Sequence, residues 1–152
     1  MDSLYLWILA VHSWIRWLLL LGSAGLGLAS LVAWQRGRPW GGTYKQASIV
    51  MAVLASLQFL IGVALHSFFG SYLKALVHSP AVFFQVKELR FFGLEHPLLT
   101  IVAIALIHLG LARARRTGEE DGARAHKWIA VTQLAALLLL LFANPWWRPM
   151  LR

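Results

Sequence analysis

Cysteine is absent from the 152 residues of this sequence. Its absence excludes disulfide bonds, thiolate-ligated iron–sulfur clusters, zinc sites built from cysteine, and cysteine nucleophiles. Ligands for any metal or cofactor must then come from other side chains, and the sequence contains six histidines.

Charged residues are also scarce, at 13% of the chain, against about 25% in soluble domains. Hydrophobic residues make up 59%, and the mean hydropathy is +0.66. Such a chain cannot cover a water-facing surface with polar groups, so we expect the lipid bilayer to be its solvent. The net charge of +8 does not indicate nucleic acid, because the basic residues sit between apolar runs, where they suit lipid headgroups.

Four apolar runs are long enough, or nearly so, to cross a membrane as helices, which takes roughly 20 residues each. The first run is too long for a cleavable signal peptide, and we expect it to remain as a span. The connections are short, which predicts antiparallel neighbours. We therefore predict an all-α fold, a transmembrane four-helix up-down bundle forming one integral membrane domain over residues 1–152. The predicted spans are residues 5–34, 47–69, 95–113 and 127–144.

Basic residues are distributed unequally between the two sides of this bundle. Eight lie in the connections 35–46 and 113–127, and five lie on the opposite side. The positive-inside rule then predicts that both termini are outside. The outer connection, residues 70–94, mixes apolar and basic residues and predicts short interfacial helices over 71–77 and 82–92, separated at Ser79-Pro80.

Ionisable residues inside spans are costly and are functional candidates by default. His12 and Arg16 share a face of the first span, as do His96 and Thr100 on the third. On the second span, Gln58, Gly62 and His66 follow at helical spacing, and on the fourth Gln133 and Asn144 lie on one line. Three histidines fall toward the outer face, on three different helices: His12, His66 and His96.

Neutral imidazole is a good ligand for haem iron, copper or zinc, so several interpretations remain open. Haem b needs one or two axial imidazoles, an apolar slot and partners for its propionates, for which Arg16 and Arg90 are candidates. A mononuclear zinc or copper site needs three or four ligands, and the available set is His12, His66, His96 and Glu95. Alternatively, the histidines are interhelical hydrogen-bonding residues, and Arg16 and Glu95 form a buried ion pair.

The remaining histidines do not suggest a second site. The dihaem pattern of large b-type cytochromes needs a spaced histidine pair on each of two helices. His96 and His108 fit one helix, but no other helix has a matching pair. We therefore expect at most one haem per chain, or a haem shared at a dimer contact. His78 is expected in the outer connection, in contact with solvent, and His108 is a candidate polar link between helices.

Several motifs resemble a family of small four-span bacterial membrane proteins commonly labelled "cytochrome b". The motifs are His-Ser-Trp-Ile-Arg-Trp at residues 12–17, Gln58 with Gly62, Arg-Phe-Phe-Gly-Leu-Glu-His at 90–96, His126-Lys127, and Asn144-Pro145-Trp146. The resemblance covers nearly the whole chain. It implies a b-type haem protein of the bacterial cytoplasmic membrane. The positions that match the family pattern are His12, Arg16, Gln58, Arg90, Glu95, His96 and His126.

Under this resemblance, His12 and His96 would be the axial ligands, on helices that are diagonal in the bundle. His66 has no counterpart in the family pattern, so the resemblance favours His12 and His96 over His66 as ligands. Gln58 would hydrogen-bond within the core. The implied function is electron transfer, with a quinone or a redox partner protein. The alternatives are a cofactor-free accessory or assembly subunit in a homo-oligomer or larger membrane complex, and a non-haem metal protein. The sequence contains no recognisable catalytic constellation.

Overall fold

Helix is the sole regular secondary structure in residues 3–118 and 120–148, the parts of the chain that the computed structural model describes. One π-helical turn, Leu65–Phe69, follows the second α-helix, and another, Phe91–Glu95, joins the fifth to the sixth. The α-helices in chain order are α1 (Ser3–Gln35), α2 (Gly42–Ala64), α3 (Tyr72–His78), α4 (Pro80–Gln85), α5 (Lys87–Arg90), α6 (His96–Thr117) and α7 (Gly122–Phe142).

Four helical stretches are long and apolar enough to cross a membrane, which confirms the predicted multi-pass, all-α bundle. They cover Ser3–Gln35, Gly42–Phe69, Lys87–Thr117 and Gly122–Phe142. Each exceeds the roughly 20 residues that a span requires. The second and third stretches include the π-helical turns, and the third also includes α5.

The third stretch begins earlier than predicted, at Lys87 rather than residue 95. The expected interfacial helix over residues 82–92 is wrong in its bounds, because the backbone of Val86 is extended and separates α4 from α5. Residues after Val86 continue into α6 through the π-helical turn. The predicted break at Ser79-Pro80 is confirmed, since α3 ends at His78 and α4 begins at Pro80.

Around the bundle, α1 is flanked by α2 and α7, and α6 is flanked by the same two helices. Helices α1 and α6 are therefore diagonal, as predicted. The contacts of α7 with α1 and α6 are far more extensive than those of α2. As a result, α2 packs less extensively against α1 and α6 than α7 does.

Small residues let α7 pack closely against its neighbours. Gly110 of α6 lies against Thr132, so closely that an added Cβ atom would collide with the threonine hydroxyl. Gly27 of α1 lies against Leu134, where an added Cβ would be 2.9 Å from the leucine side chain. In lipid, where apolar side chains gain little by burial, such close packing is a main source of helix association.

The loops at the opposite end from the N-terminus are fixed by local hydrogen bonds. At the end of α1, Gly37 has a φ of 60°, and Arg38 N–H donates to the Ala33 carbonyl at 3.0 Å. This is a Schellman motif, which favours glycine. At the start of α7, Arg124 N–H donates to the Asp121 carboxylate at 2.9 Å, an N-cap.

We expect Gly110→Leu to destabilise the bundle, because the added side chain must separate α6 from α7. Overpacking of this kind costs about 1–3 kcal/mol or more. The measurement is the thermal unfolding midpoint in detergent. Gly25→Leu is the matched control, since an added Cβ at Gly25 meets nothing within 4 Å. Equal midpoints for the two variants would contradict the close α6–α7 contact.

Candidate functional site

A cavity of about 720 Å³ lies among the four spans. It occupies the end of the bundle where α1 and α6 begin and where α2 and α7 end, which we call the site end. Its wall is mainly apolar, and its polar residues are His12, Ser13, Arg16, Gln58, His66, Ser67, Tyr5, Tyr72, His96, Thr100, Asn144 and Arg148. The less extensive packing of α2 leaves room for this cavity.

Two imidazole rings approach each other in the cavity wall. The ring centroids of His12 and His96 are 6.2 Å apart, and the ring planes meet at 61°. The residues come from the diagonal helices α1 and α6, as the sequence predicted. Both rings are largely shielded, since both residues are only partly exposed.

The His96 ring is held by the end of α7. Its Nδ1 lies 2.7 Å from the carbonyl oxygen of Ala143. A carbonyl only accepts, so Nδ1 carries the proton and donates, which leaves the Nε2 lone pair free for a ligand. A histidine that binds a metal usually donates its other ring nitrogen to such a partner.

A π-helical turn comes immediately before His96. Pro97 lacks an N–H group, and a proline ring within a helix clashes with the carbonyl four residues earlier. The π-helical turn Phe91–Glu95 widens the helix at that point. A second π-helical turn, Leu65–Phe69, carries His66 at the same end of the bundle. Such turns are frequent at functional sites.

Gln58 and Gly62 of α2 shape the surroundings of His12. The Gln58 amide nitrogen donates to the His12 carbonyl at 3.1 Å and lies 3.4 Å from His12 Nε2. Nδ1 of His12 is buried and has no hydrogen-bond partner among the described residues. Gly62 lies beside the ring, where an added Cβ would be 3.4 Å from His12 Cε1. The α2 stripe predicted from the sequence therefore faces the cavity.

His66 also lines the cavity, but it stacks on Tyr72, with ring centroids 5.3 Å apart and an interplanar angle of 25°. Burial, together with the neighbouring Tyr5, raises the pKa of the Tyr72 phenol. The phenol of Tyr72 lines the cavity and offers it a hydrogen-bond donor.

A mononuclear zinc or copper site would need three or four ligand side chains close together. Across residues 3–118 and 120–148, no three histidine, aspartate or glutamate side chains are grouped so that they could hold a metal ion. Glu95, which the sequence offered as a ligand, instead accepts from Arg90 Nε at 2.6 Å. The set His12, His66, His96 and Glu95 therefore reduces to the facing pair His12 and His96.

The two arginines predicted for the site are placed differently. Arg16 lines the cavity, but Arg90 does not. Arg90 is held by Glu95 and donates to the Phe84 carbonyl at 2.9 Å, in contacts made possible by the turn before α6.

Arg148 lines the cavity as well, although no sequence pattern predicted it as a site residue. Its guanidinium binds Glu88 at 3.2 Å and lies 4.4 Å from the centroid of the Phe92 ring. The signal in the sequence was Asn144-Pro145, which ends α7 and turns the following residues back toward the cavity mouth.

The other histidines have separate positions. His78 is exposed at the end of α3, as expected. His108 Nε2 lies 3.1 Å from the Ser56 hydroxyl and links α6 to α2, as expected. His126 is fully buried, and its Nε2 donates to the Pro39 carbonyl at 3.2 Å, which joins α7 to the α1–α2 loop. This position of the family pattern therefore lies far from the cavity.

Comparison of the chain with models of known protein families, with curated proteins and with solved structures found no match. The geometry of the site therefore carries the functional argument.

Proposed function

We propose that this protein binds one b-type haem in the cavity and transfers electrons in the membrane. The observation that carries the proposal is the facing pair of His12 and His96 on diagonal helices. Their two imidazoles would hold the haem iron.

The spacing of the two rings supports this assignment. Two imidazoles can hold one metal ion only where their rings come close together. The centroids of His12 and His96 are 6.2 Å apart.

The cavity supports it too. Its volume of about 720 Å³ falls within the roughly 300–1,000 Å³ of small-molecule and cofactor sites, and its wall is mostly apolar. Haem propionates need cationic partners. Arg16 and Arg148 both line the cavity, so we assign that role to them and withdraw Arg90.

Bound haem would supply one-electron exchange at its iron. The chain would position and insulate it. The Ala143 carbonyl fixes the tautomer and direction of the His96 ring, and Gln58 holds the backbone at His12. Apolar residues such as Leu19, Ile104 and Ile107 would exclude water from one side of the cavity. A membrane quinone or a redox protein would be the electron partner.

The absorption spectrum of the purified protein in detergent tests the proposal. We expect a Soret band and about one haem per chain. His12→Ala and His96→Ala should each lower the haem content to below about a tenth of the parental value, because each removes an imidazole that would hold the iron.

His78→Ala is the matched control and should keep the haem, since His78 is exposed and does not line the cavity. Full Soret absorbance in both ligand variants would overturn the assignment. A colourless protein with stoichiometric zinc or copper would favour a non-haem metal site. A colourless, metal-free protein would favour an accessory subunit whose polar residues only join helices.

Arg148→Gln should weaken haem binding by about tenfold, the effect of losing one hydrogen bond to a charged group. Arg90→Gln should leave it unchanged, because Arg90 is turned toward Glu95 and Phe84. Haem titration of the apoprotein provides the dissociation constants. If Arg90→Gln weakened haem binding and Arg148→Gln did not, Arg90 would be the propionate partner and Arg148 would not.

We also propose that the protein lies in the inner membrane of a bacterium with both termini outside, as the distribution of basic residues favours. Because the chain has no cysteine, single-cysteine variants test this directly. In intact cells, Ser79→Cys should react with a membrane-impermeant maleimide. Arg38→Cys should react only after the cells have been lysed. Both positions are exposed. Labelling of Arg38→Cys, but not Ser79→Cys, in intact cells would reverse the orientation.

A further inference from the structure

A second concave site lies at the opposite end of the bundle, between the end of α1 and the beginning of α7. Its volume is about 490 Å³, and it is open to the surface. We call it the basic groove. It is lined by Trp34, Asp121, Ala123, Arg124, Lys127, Trp128 and Val131.

The wall of the basic groove is amphiphilic. Arg124, Lys127, Trp128 and Val131 follow at helical spacing, so they share one face of α7. The opposite face, which includes His126 and Ile129, is fully buried against the bundle. Arg124 and Lys127 lie in the first two turns, and Val131 lies one turn further into the span, 52% exposed. The cations are therefore at the rim, and the apolar wall continues toward the hydrocarbon.

The two tryptophans of the groove carry cations on their rings. The Lys127 ammonium is 5.2 Å from the centroid of Trp34, and the Arg113 guanidinium is 5.4 Å from that of Trp128. Cation–π contacts of this length are attractive. They bring three positive groups around one groove, with Arg124 as the third.

Among residues 3–118 and 120–148, no carboxylate forms an ion pair with the Arg124 or Lys127 side chain. The Asp121 carboxylate accepts from the Arg124 backbone N–H, so it is occupied by the helix N-terminus. Glu120 is exposed in the same turn. The guanidinium of Arg124 and the ammonium of Lys127 remain at the groove rim.

We propose that the basic groove binds an anionic phospholipid, with its phosphate between Arg124 and Lys127 and an acyl chain along Trp34, Trp128 and Val131. Free phosphate shares the anionic chemistry, but it would leave the apolar wall of the groove unused. Positive pockets between spans are suited to lipid headgroups. This inference does not depend on whether the cavity at the site end holds haem.

The test uses the full chain in detergent with defined lipids added. Native mass spectrometry counts bound lipid, and thermal unfolding reports stabilisation. We expect phosphatidylglycerol to bind and to raise the unfolding midpoint. Phosphatidylcholine and inorganic phosphate at equal concentration should do so much less.

The double variant Arg124→Gln with Lys127→Gln should bind phosphatidylglycerol about 10- to 30-fold more weakly, as expected for two basic groups near a lipid phosphate. The control is Lys45→Gln with Arg115→Gln, which removes the same charge from exposed positions outside the groove. It should bind as the parent does.

Equal weakening in the control would show that total charge, and not the groove, attracts lipid, and would overturn the proposal. Unchanged binding in the double variant would overturn it as well. If inorganic phosphate stabilised the protein as much as phosphatidylglycerol does, the ligand of the groove would be a free anion and not a lipid. If the double variant unfolds during purification, Val131→Asp, which places a charge on the apolar wall, should produce the same loss.

Discussion

Close packing of α7 against both α1 and α6 is the constraint on which the rest of the structure depends. Apolar side chains gain little by leaving lipid, so helices associate where small residues allow backbones to approach. Gly27 and Gly110 provide that approach on the two sides of α7. Because α7 lies between them, it fixes the separation of the diagonal helices. The fourth position in the ring, occupied by α2, is consequently packed less closely.

The cavity results from this difference in packing between α7 and α2. On α2, Gln58, Gly62 and His66 line the cavity, and the Gln58 amide crosses it to the His12 backbone carbonyl. The spacing of His12 and His96 is likewise set by α7, since both of their helices are packed on it. The two ends of the molecule then differ in character. The site end has the facing imidazoles, and the basic groove at the other end has cations arranged around indole rings.

Hydropathy and helical spacing were sufficient to predict four long apolar helices and the polar stripes, whereas the diagonal placement of α1 and α6 was an expectation from the family resemblance. These features depend on residues within one helix or on the order of helices, which the sequence displays directly. The beginning of the third stretch was mispredicted because Lys87 and Arg90 made residues 87–94 resemble a connection. A π-helical turn keeps those residues helical, and no periodicity rule reports such a turn.

The site was predictable in part. The sequence correctly placed His12, Arg16, Gln58, His66 and His96 around one space, since each lies on a recognisable face. It could not distinguish Arg90 from Arg148, because that choice depends on two local events. Arg90 turns to a glutamate five residues away, and the chain after α7 folds back. The full burial of His126 was equally hidden, because its partner, Pro39, is 87 positions distant.

Because the His96 ring contacts the Ala143 carbonyl, the position at which α7 ends determines the orientation of that ring. The last carbonyls of any helix have no partner within the helix, and the Ala143 oxygen is one of them. If α7 continued for one more turn, that oxygen would bond within the helix and the imidazole would lose its acceptor. The Asn144-Pro145 stop thus does more than end a span, because it leaves exposed the oxygen atom that orients a ring on another helix.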